Sequence, residues 1–293
     1  MPQPTGCGGS GSPVAALPWA LAPKLDAGPD KLDVLSVEQE TTVKKPAHVA
    51  GQNAHVRDPP GRPIRGLPGV LPGCATLVPM AGSGRHDRTR RSYDAVAEKY
   101  ADGFRDELAY KPLDRALLTC LIEQTGPGAP IADLGCGPGH VSAWLASHGA
   151  TAVGVDLSAG MIAVARRDHP GAEFRRGDFL ELPARDGEFG AAVALYSIIH
   201  LEPDELRRAF TEIHRVLRPA GLLLVAFHIG SEVRHVTDWL GQEVDVDFRF
   251  LEPAHVAAAM EDAGLGVEAQ LERTNYPQEH DTRRGYLLAR RRS

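Results

Sequence analysis

The sequence predicts an α/β fold, a mostly parallel sheet with helices on both faces. Three observations predict it. Short apolar runs alternate with longer amphipathic stretches from residue 130 to residue 227. The first run turns through Gly135-Cys136-Gly137-Pro138-Gly139 into a helical pattern. Acidic residues stand at two predicted strand tips, Asp133 and, 23 residues on, Asp156.

The folded region is expected to open with a helix over Ser92–Gly103. Tyr93, Val96, Ala97 and Tyr100 recur there at helical spacing, with Ser92 as N-cap. Leu108–Gln124 is a second helix, with Leu113, Leu117, Leu118, Leu121 and Ile122 on one side. Strand Pro130–Leu134 leads into helix Pro138–His148, and strand Thr151–Val155 into helix Ala159–Asp168. Strands Ala172–Arg176 and Gly190–Tyr196 follow. Helix Pro203–Leu217 carries Leu206, Phe210, Ile213 and Leu217 as its core stripe and precedes strand Leu222–Phe227. The spacer Ser231–Leu251 departs from this alternation, holding Trp239, Phe248 and Phe250 among acids. Pro253–Ala263 reads as a helix, and Val267–Arg273 and Gly285–Arg290 read as the last strands.

The glycine turn points to an anionic or polar ligand. Glycines admit close backbone approach where a Cβ would collide, and the helix start presents unpaired N–H groups. An acidic residue about twenty positions on, at the second strand's tip, suits a ribose diol. An adenosine-type cofactor across the carboxyl ends of the sheet is therefore expected. A dinucleotide loop would want Gly or Ala where His140 stands, and Asp133 would meet a pyrophosphate unfavourably. The same carboxylate suits the cationic amino group of a methionine moiety.

These residues resemble the class I S-adenosylmethionine-dependent methyltransferases. The acidic-Gly-x-Gly-x-Gly motif is matched by Asp133, Gly135, Gly137 and Gly139. Val155-Asp156-Leu157-Ser158, Gly177-Asp178-Phe179, Ala194–His200 and Leu217–Leu224 follow in the family's order. The resemblance covers roughly residues 92–291. It implies a Rossmann-like sheet of seven strands, the last antiparallel and inserted beside the sixth, with a substrate lid at Ser231–Leu251. It also implies S-adenosylmethionine as cofactor and a domain over 89–293.

Residue by residue, the resemblance assigns Asp133, Gly135, Gly137 and Gly139 to the methionine part and Asp156 to the ribose. Leu157 and Met161 would pack on the adenine, or serve as ordinary core. Asp178 would accept from the adenine amino group beside Phe179, with a plain surface turn as the alternative. Tyr196 ends the strand that faces the methyl donor. Tyr93 and Tyr100 match a Tyr-x6-Tyr opening helix that would offer a hydroxyl to the methionine carboxylate, although packing alone also explains both.

The reaction is attack of a nucleophile on an activated methyl, so positioning is the main task. A base is needed only where the nucleophile must lose a proton. His200, just past the fourth strand, is the first candidate, and His228, at the end of the fifth, the second. A structural hydrogen bond is the bland alternative for each. Trp239, Phe248, Phe250 and Tyr276 are expected to form an aromatic substrate wall or the lid's own core. Arg283 and Arg284 are expected to flank the last strand in water, with contact to an acidic substrate as the alternative. The Asn/Asp-Pro-Pro-aromatic motif of amine- and amide-directed relatives is missing at Leu195-Tyr196-Ser197-Ile198. That disfavours nucleic-acid bases and protein glutamine as acceptors.

The expected function is methyl transfer to an O, N or C nucleophile of a small molecule, of the secondary-metabolite kind. The alternatives are a macromolecule methyltransferase and a non-catalytic cofactor-binding subunit.

Composition bounds the rest. The chain carries a net charge of −6, concentrated after residue 90, which disfavours a nucleic-acid partner. The basic runs Arg85–Arg91 and Arg290–Arg292 read as solvated termini. Six Lys against 26 Arg fit a GC-rich, bacterial genome. Residues 1–88 are rich in Pro and Gly, show no sustained period, and read as a disordered extension. Met80 offers an alternative start. Four cysteines without a C-x-x-C pair argue against disulfides and zinc and fit a reducing cytoplasm. No apolar run is long enough to span a membrane.

Overall fold

The structure, a computed structural model, describes residues 83–292. The expected disordered extension and the Met80 start lie outside the described residues, except for positions 83–88.

Nine strands and six α-helices follow one another in the described chain. The strands β1 (Ile131–Leu134), β2 (Ala152–Asp156), β3 (Glu173–Arg176), β4 (Phe189–Leu195) and β5 (Leu217–His228) pair in parallel. The strand β9 (Arg284–Arg291) lies antiparallel between β5 and β8 (Leu265–Arg273). The seven-stranded order is β3-β2-β1-β4-β5-β9-β8, and β6 (Val233–Trp239) with β7 (Gln242–Arg249) forms a separate hairpin.

Alternation along the central strands fills both faces of this sheet. Ala191, Val193, Leu222 and Leu224 pack with α2 (Pro112–Thr125) and α3 (His140–Ser147). Ala192, Ala194, Leu223, Val225 and Phe227 pack on the opposite side. That side holds α1 (Ser83–Phe104), α4 (Ala159–Asp168), α5 (Pro203–Val216) and α6 (Pro253–Asp262). Central strands buried on both faces are what parallel pairing requires. The strand order reverses between β1 and β4, and the cleft opens at this switch point beyond their carboxyl ends.

Several expectations change. Helix α1 begins at Ser83, inside the stretch expected to be disordered, so Ser92 sits mid-helix and is no N-cap. Its hydroxyl instead donates to the Arg88 carbonyl at 2.9 Å and accepts from the Asp245 amide at 2.8 Å. The run Arg85–Arg91 is not simply solvated, because Arg85 pairs with Glu202 and Glu205 at largely covered sites. Leu108–Gln124 is broken at Pro112 into a 3₁₀ turn, Glu107–Tyr110, and α2; proline excludes its predecessor from the helix. Arg284 is buried rather than flanking the strand in water, and it donates to the carbonyls of His280 and Thr282. The Arg290–Arg292 run is also engaged, Arg290 with Glu268 and Arg292 with Glu261. No helix among the described residues is long and apolar enough to cross a membrane.

Candidate active site

The cleft opens to solvent beyond the carboxyl ends of β1 and β4. Its floor is the strand tips. Gly135 turns at φ 72°, and a Cβ there would come within 2.3 Å of the Ser197 Cβ. Ser197 in turn donates to the Leu134 carbonyl at 2.7 Å, tying the β4 tip to the β1 tip. Gly137 faces the open cleft, where an added Cβ would meet only Tyr100, at 3.9 Å. This is the bare backbone surface that the ligand argument called for.

Asp156 stands beside it. One of its oxygens accepts the Gly137 amide at 2.9 Å and the other the Ser158 amide at 2.8 Å. Burial pushes its carboxyl up to about 6 against those two donors, with Asp133 and Asp94 adding repulsion. Each oxygen keeps a further lone pair for a ligand in the cleft.

Asp178 accepts from the Leu180 amide at 2.9 Å and pairs with His86 Nδ1 at 2.7 Å. Burial raises its pKa, but the His86 bond and the Leu180 amide outweigh it and hold the carboxyl below its ordinary value. Leu157, Phe179 and Tyr196 also line the cleft. Tyr196 adopts φ 55° at the β4 tip, and its hydroxyl lies 3.3 Å from that of Tyr286.

Four expected residues lie elsewhere. Asp133 is buried on the α2/α3 side of β1, because strand alternation points it away from the cleft; it accepts from Ser142 at 2.7 Å. Burial raises it to about 6. Gly139 is needed for packing, since a Cβ there would meet the Phe174 ring at 2.7 Å. Met161 is wholly buried in the core on the inner face of α4. His228 does not line the cleft, and its Nδ1 lies 2.8 Å from the Thr282 hydroxyl. Burial, then the charges of Arg284, His280 and Lys111, push it down to about 3.

The roof consists of α1 and the β6–β7 hairpin. Tyr93, Tyr100 and His200 line the cleft beneath them. Trp239 is fully buried behind the two tyrosines, edge-on to each at 5.4 and 5.5 Å. Phe248 packs edge-on to His200 and Trp239. These two aromatics form the hairpin's core and back the cleft; Phe250 lies against His228, and the Tyr276 hydroxyl accepts from the Leu113 amide.

His200 is bonded at both nitrogens. Its Nδ1 lies 2.9 Å from the Asp247 carbonyl, an acceptor only, so Nδ1 carries the proton. Its Nε2 lies 2.7 Å from the Tyr93 hydroxyl. Burial pushes the imidazole down to about 4 against the Asp247 carbonyl, so the ring is neutral at pH 7 and Nε2 accepts. Tyr93 therefore donates, and burial together with the Asp156 charge raises its own pKa.

Sequence reasoning missed His86 and Thr89. Both line the cleft and share one face of α1 with Tyr93 and Tyr100, at spacings of three, four and seven. Extending the Tyr-x6-Tyr stripe backwards would have found them.

A family model described as a methyltransferase domain matches residues 131–221, the stretch from β1 into β5 that builds the floor. That match agrees with the resemblance to the class I S-adenosylmethionine-dependent methyltransferases drawn from the sequence motifs. A demethylmenaquinone methyltransferase of Beutenbergia cavernae is 35% identical over 136 residues, 46% of this chain and 55% of that one. A malonyl-[acyl-carrier protein] O-methyltransferase of Pectobacterium atrosepticum is 35% identical over 100 residues, 34% of this chain and 38% of that one. The chain spans about half the length of the first curated relatives it matches.

Among solved structures, a magnesium protoporphyrin IX methyltransferase from Synechocystis aligns with TM-score 0.56 at 18% identity. The alignment covers 73% of this chain and all of that one. An S-adenosylmethionine-dependent methyltransferase from Methanosarcina mazei aligns with TM-score 0.54 at 18% identity, over 60% and 97%. At these identities the structures of the two methyltransferases share the fold with this one.

Proposed function

We propose that this chain transfers a methyl group from S-adenosylmethionine to a small-molecule acceptor. The observation that carries the proposal is the pairing of an open glycine backbone at Gly137 with the half-buried carboxylate of Asp156 across one cleft.

The lining fits the cofactor. Asp156 and Asp178 supply carboxylates, and no Lys or Arg lines the cleft among the described residues, as suits a cation. When bound, S-adenosylmethionine supplies a methyl already activated by its sulfonium charge. Asp156 would accept from the ribose hydroxyls and Asp178 from the adenine amine, with Phe179 and Leu157 against the ring. The Tyr100 hydroxyl has no hydrogen-bond partner among the described residues, so it is the roof donor available to the methionine carboxylate. Gly135 and Gly137 keep the backbone low enough for the methionine chain, while the roof excludes water and holds the acceptor in line.

A small acceptor fits a cleft backed by the buried Trp239 and Phe248. The relatives' names, demethylmenaquinone methyltransferase, malonyl-[acyl-carrier protein] O-methyltransferase and magnesium protoporphyrin IX methyltransferase, agree with small-molecule or carrier-bound substrates. Free thiols at Cys120 and Cys136 agree with a cytoplasmic setting.

Calorimetric titration of S-adenosylmethionine and S-adenosylhomocysteine into the full chain tests the proposal. Micromolar binding of both is expected. No binding of either to a folded sample overturns it.

A further inference from the structure

The two roof tyrosines look equivalent in sequence but differ in what their hydroxyls can do. Tyr93 has committed its proton. The Asp247 carbonyl on β7 fixes the His200 proton on Nδ1, which leaves Nε2 as acceptor for the Tyr93 hydroxyl at 2.7 Å. Tyr93 therefore cannot donate to a methionine carboxylate from this position. What it presents to the cleft is oxygen lone pairs, with a neutral imidazole behind them.

We infer that Tyr93 is a catalytic residue: it takes the proton of an acidic acceptor hydroxyl, a phenol or an enol, and hands its own proton to His200. The inference rests on the methyl-transfer reading above. The acceptor oxygen bonds to the methyl carbon as the carbon–sulfur bond breaks, and that electron pair stays on sulfur. The acceptor's proton passes to the Tyr93 oxygen, while Tyr93's proton moves to His200 Nε2. The resulting imidazolium keeps its Nδ1–H on the Asp247 carbonyl and later loses the proton to water. His200 acts through Tyr93 and is a positioning residue.

The chemistry selects the acceptor class. A neutral amine attacks with a free lone pair and needs no proton removed first. An aliphatic alcohol is too weakly acidic for an imidazole-backed relay. A carboxylate would enter a cleft with no lining Lys or Arg among the described residues. A phenol or enol fits on all three counts.

The surroundings keep both relay members neutral. Asp247 and Phe248 of β7 and Tyr93 of α1 face His200, and Asp156 of β2 acts on Tyr93. The relay also depends on the lid, because Asp247 belongs to the hairpin. Ser92 and Lys99 of α1 bind that hairpin at Asp245 and Leu240.

Two measurements on the full chain test this without an identified acceptor. Imidazole ¹⁵N spectra of the wild type should show His200 protonated at Nδ1 and accepting at Nε2. Tyr93→Phe should shift the Nε2 resonance. An Nε2-protonated ring, or an unmoved resonance, overturns the relay.

The second measurement compares S-adenosylhomocysteine with sinefungin, which carries an ammonium group where the transferred methyl would lie. A Tyr93 oxygen that accepts should favour sinefungin by about tenfold or more, the size of a charge-assisted hydrogen bond. Tyr93→Phe should abolish that preference and leave S-adenosylhomocysteine binding within about twofold. No preference in the wild type, a preference that survives in Tyr93→Phe, or equal weakening of both ligands overturns the relay alone. Failure of both ligands to bind the folded wild type overturns the methyl-transfer reading and the relay with it.

Discussion

The floor and the roof of the cleft are built on different principles. The floor is made of strand tips whose groups are satisfied by nearby backbone: Asp156 takes the Gly137 and Ser158 amides, and Ser197 the Leu134 carbonyl. Central strands paired on both sides fix those positions. The roof is a helix and a two-stranded hairpin, joined largely through side chains: Tyr93 to Asp247 by way of His200, Ser92 to Asp245 and Lys99 to Leu240. A floor of this kind holds one shape for a cofactor. A roof of this kind can be released locally while the sheet stays intact.

That contrast can be broken or sharpened by experiment. The largest effect is expected in the roof's core. Trp239→Ala removes a fully buried aromatic between Tyr93, Tyr100 and Phe248 and should cost about 3–5 kcal/mol, read by denaturant melts. If the roof is a separate layer, hydrogen exchange should rise first in α1 and the hairpin, with β1 and β4 still protected. Uniform loss of protection would show floor and roof to be one cooperative unit.

Next comes the floor. Asp156→Ala should weaken S-adenosylhomocysteine by about 1.5–3 kcal/mol, the range for hydrogen bonds to a charged group. Unchanged calorimetric affinity in a folded variant would remove Asp156 from the ribose. The same carboxyl sets a pH dependence. Its pKa in the free protein is raised to about 6, so protonation on the acid side costs the cleft an acceptor. Affinity should fall as pH drops through about 6, and Asp156→Asn should flatten that fall.

A smaller effect belongs to the clasp. Ser92→Ala strands the Asp245 amide and should cost about 1 kcal/mol, seen as faster exchange at the hairpin and not at the floor.

The smallest effect lies at His86. Its hydrogen bond to Asp178 raises its pKa against the opposing effect of burial, with the Asp178 and Glu205 charges adding to the rise. A raised folded pKa stabilises below the unfolded value near 6.5, and that stabilisation is lost as pH climbs through the folded value. His86→Gln should therefore lower stability by a few tenths of a kcal/mol at pH 5.5, and by less at pH 8. A difference that grows with pH would contradict the ion pair.

The same contrast explains what was legible in the sequence. Floor residues announce themselves because their partners are near in the chain or repeat strand by strand. The glycine turn, Asp156 and the Asp178-Phe179 loop all sit at strand ends that apolar runs mark out. Asp133 misled because a strand tip alone does not say which face a side chain takes; alternation turned it toward Ser142. Gly139 misled in the same way, and Met161 took the ordinary-core role left open for it, since core packing and ligand contact ask for similar residues. The roof stayed hidden because its bonds join distant positions. His86 meets Asp178 across 92 residues, Tyr93 meets His200 across 107, and Ser92 meets Asp245 across 153. No local period records such pairs, and the protonation pattern of His200 depends on a carbonyl 47 residues away.

One carboxylate links the two layers. Glu202 caps the first turn of α5 by accepting the backbone amide of its third residue, and it also receives Arg85 from α1 and Arg249 from β7. Freeing the two arginines would release Glu202 from its fixed rotamer, and the first turn of α5 would fray as the lid lifts. Hydrogen exchange at the Glu205 amide should therefore quicken whenever α1 and the hairpin lift away from Glu202.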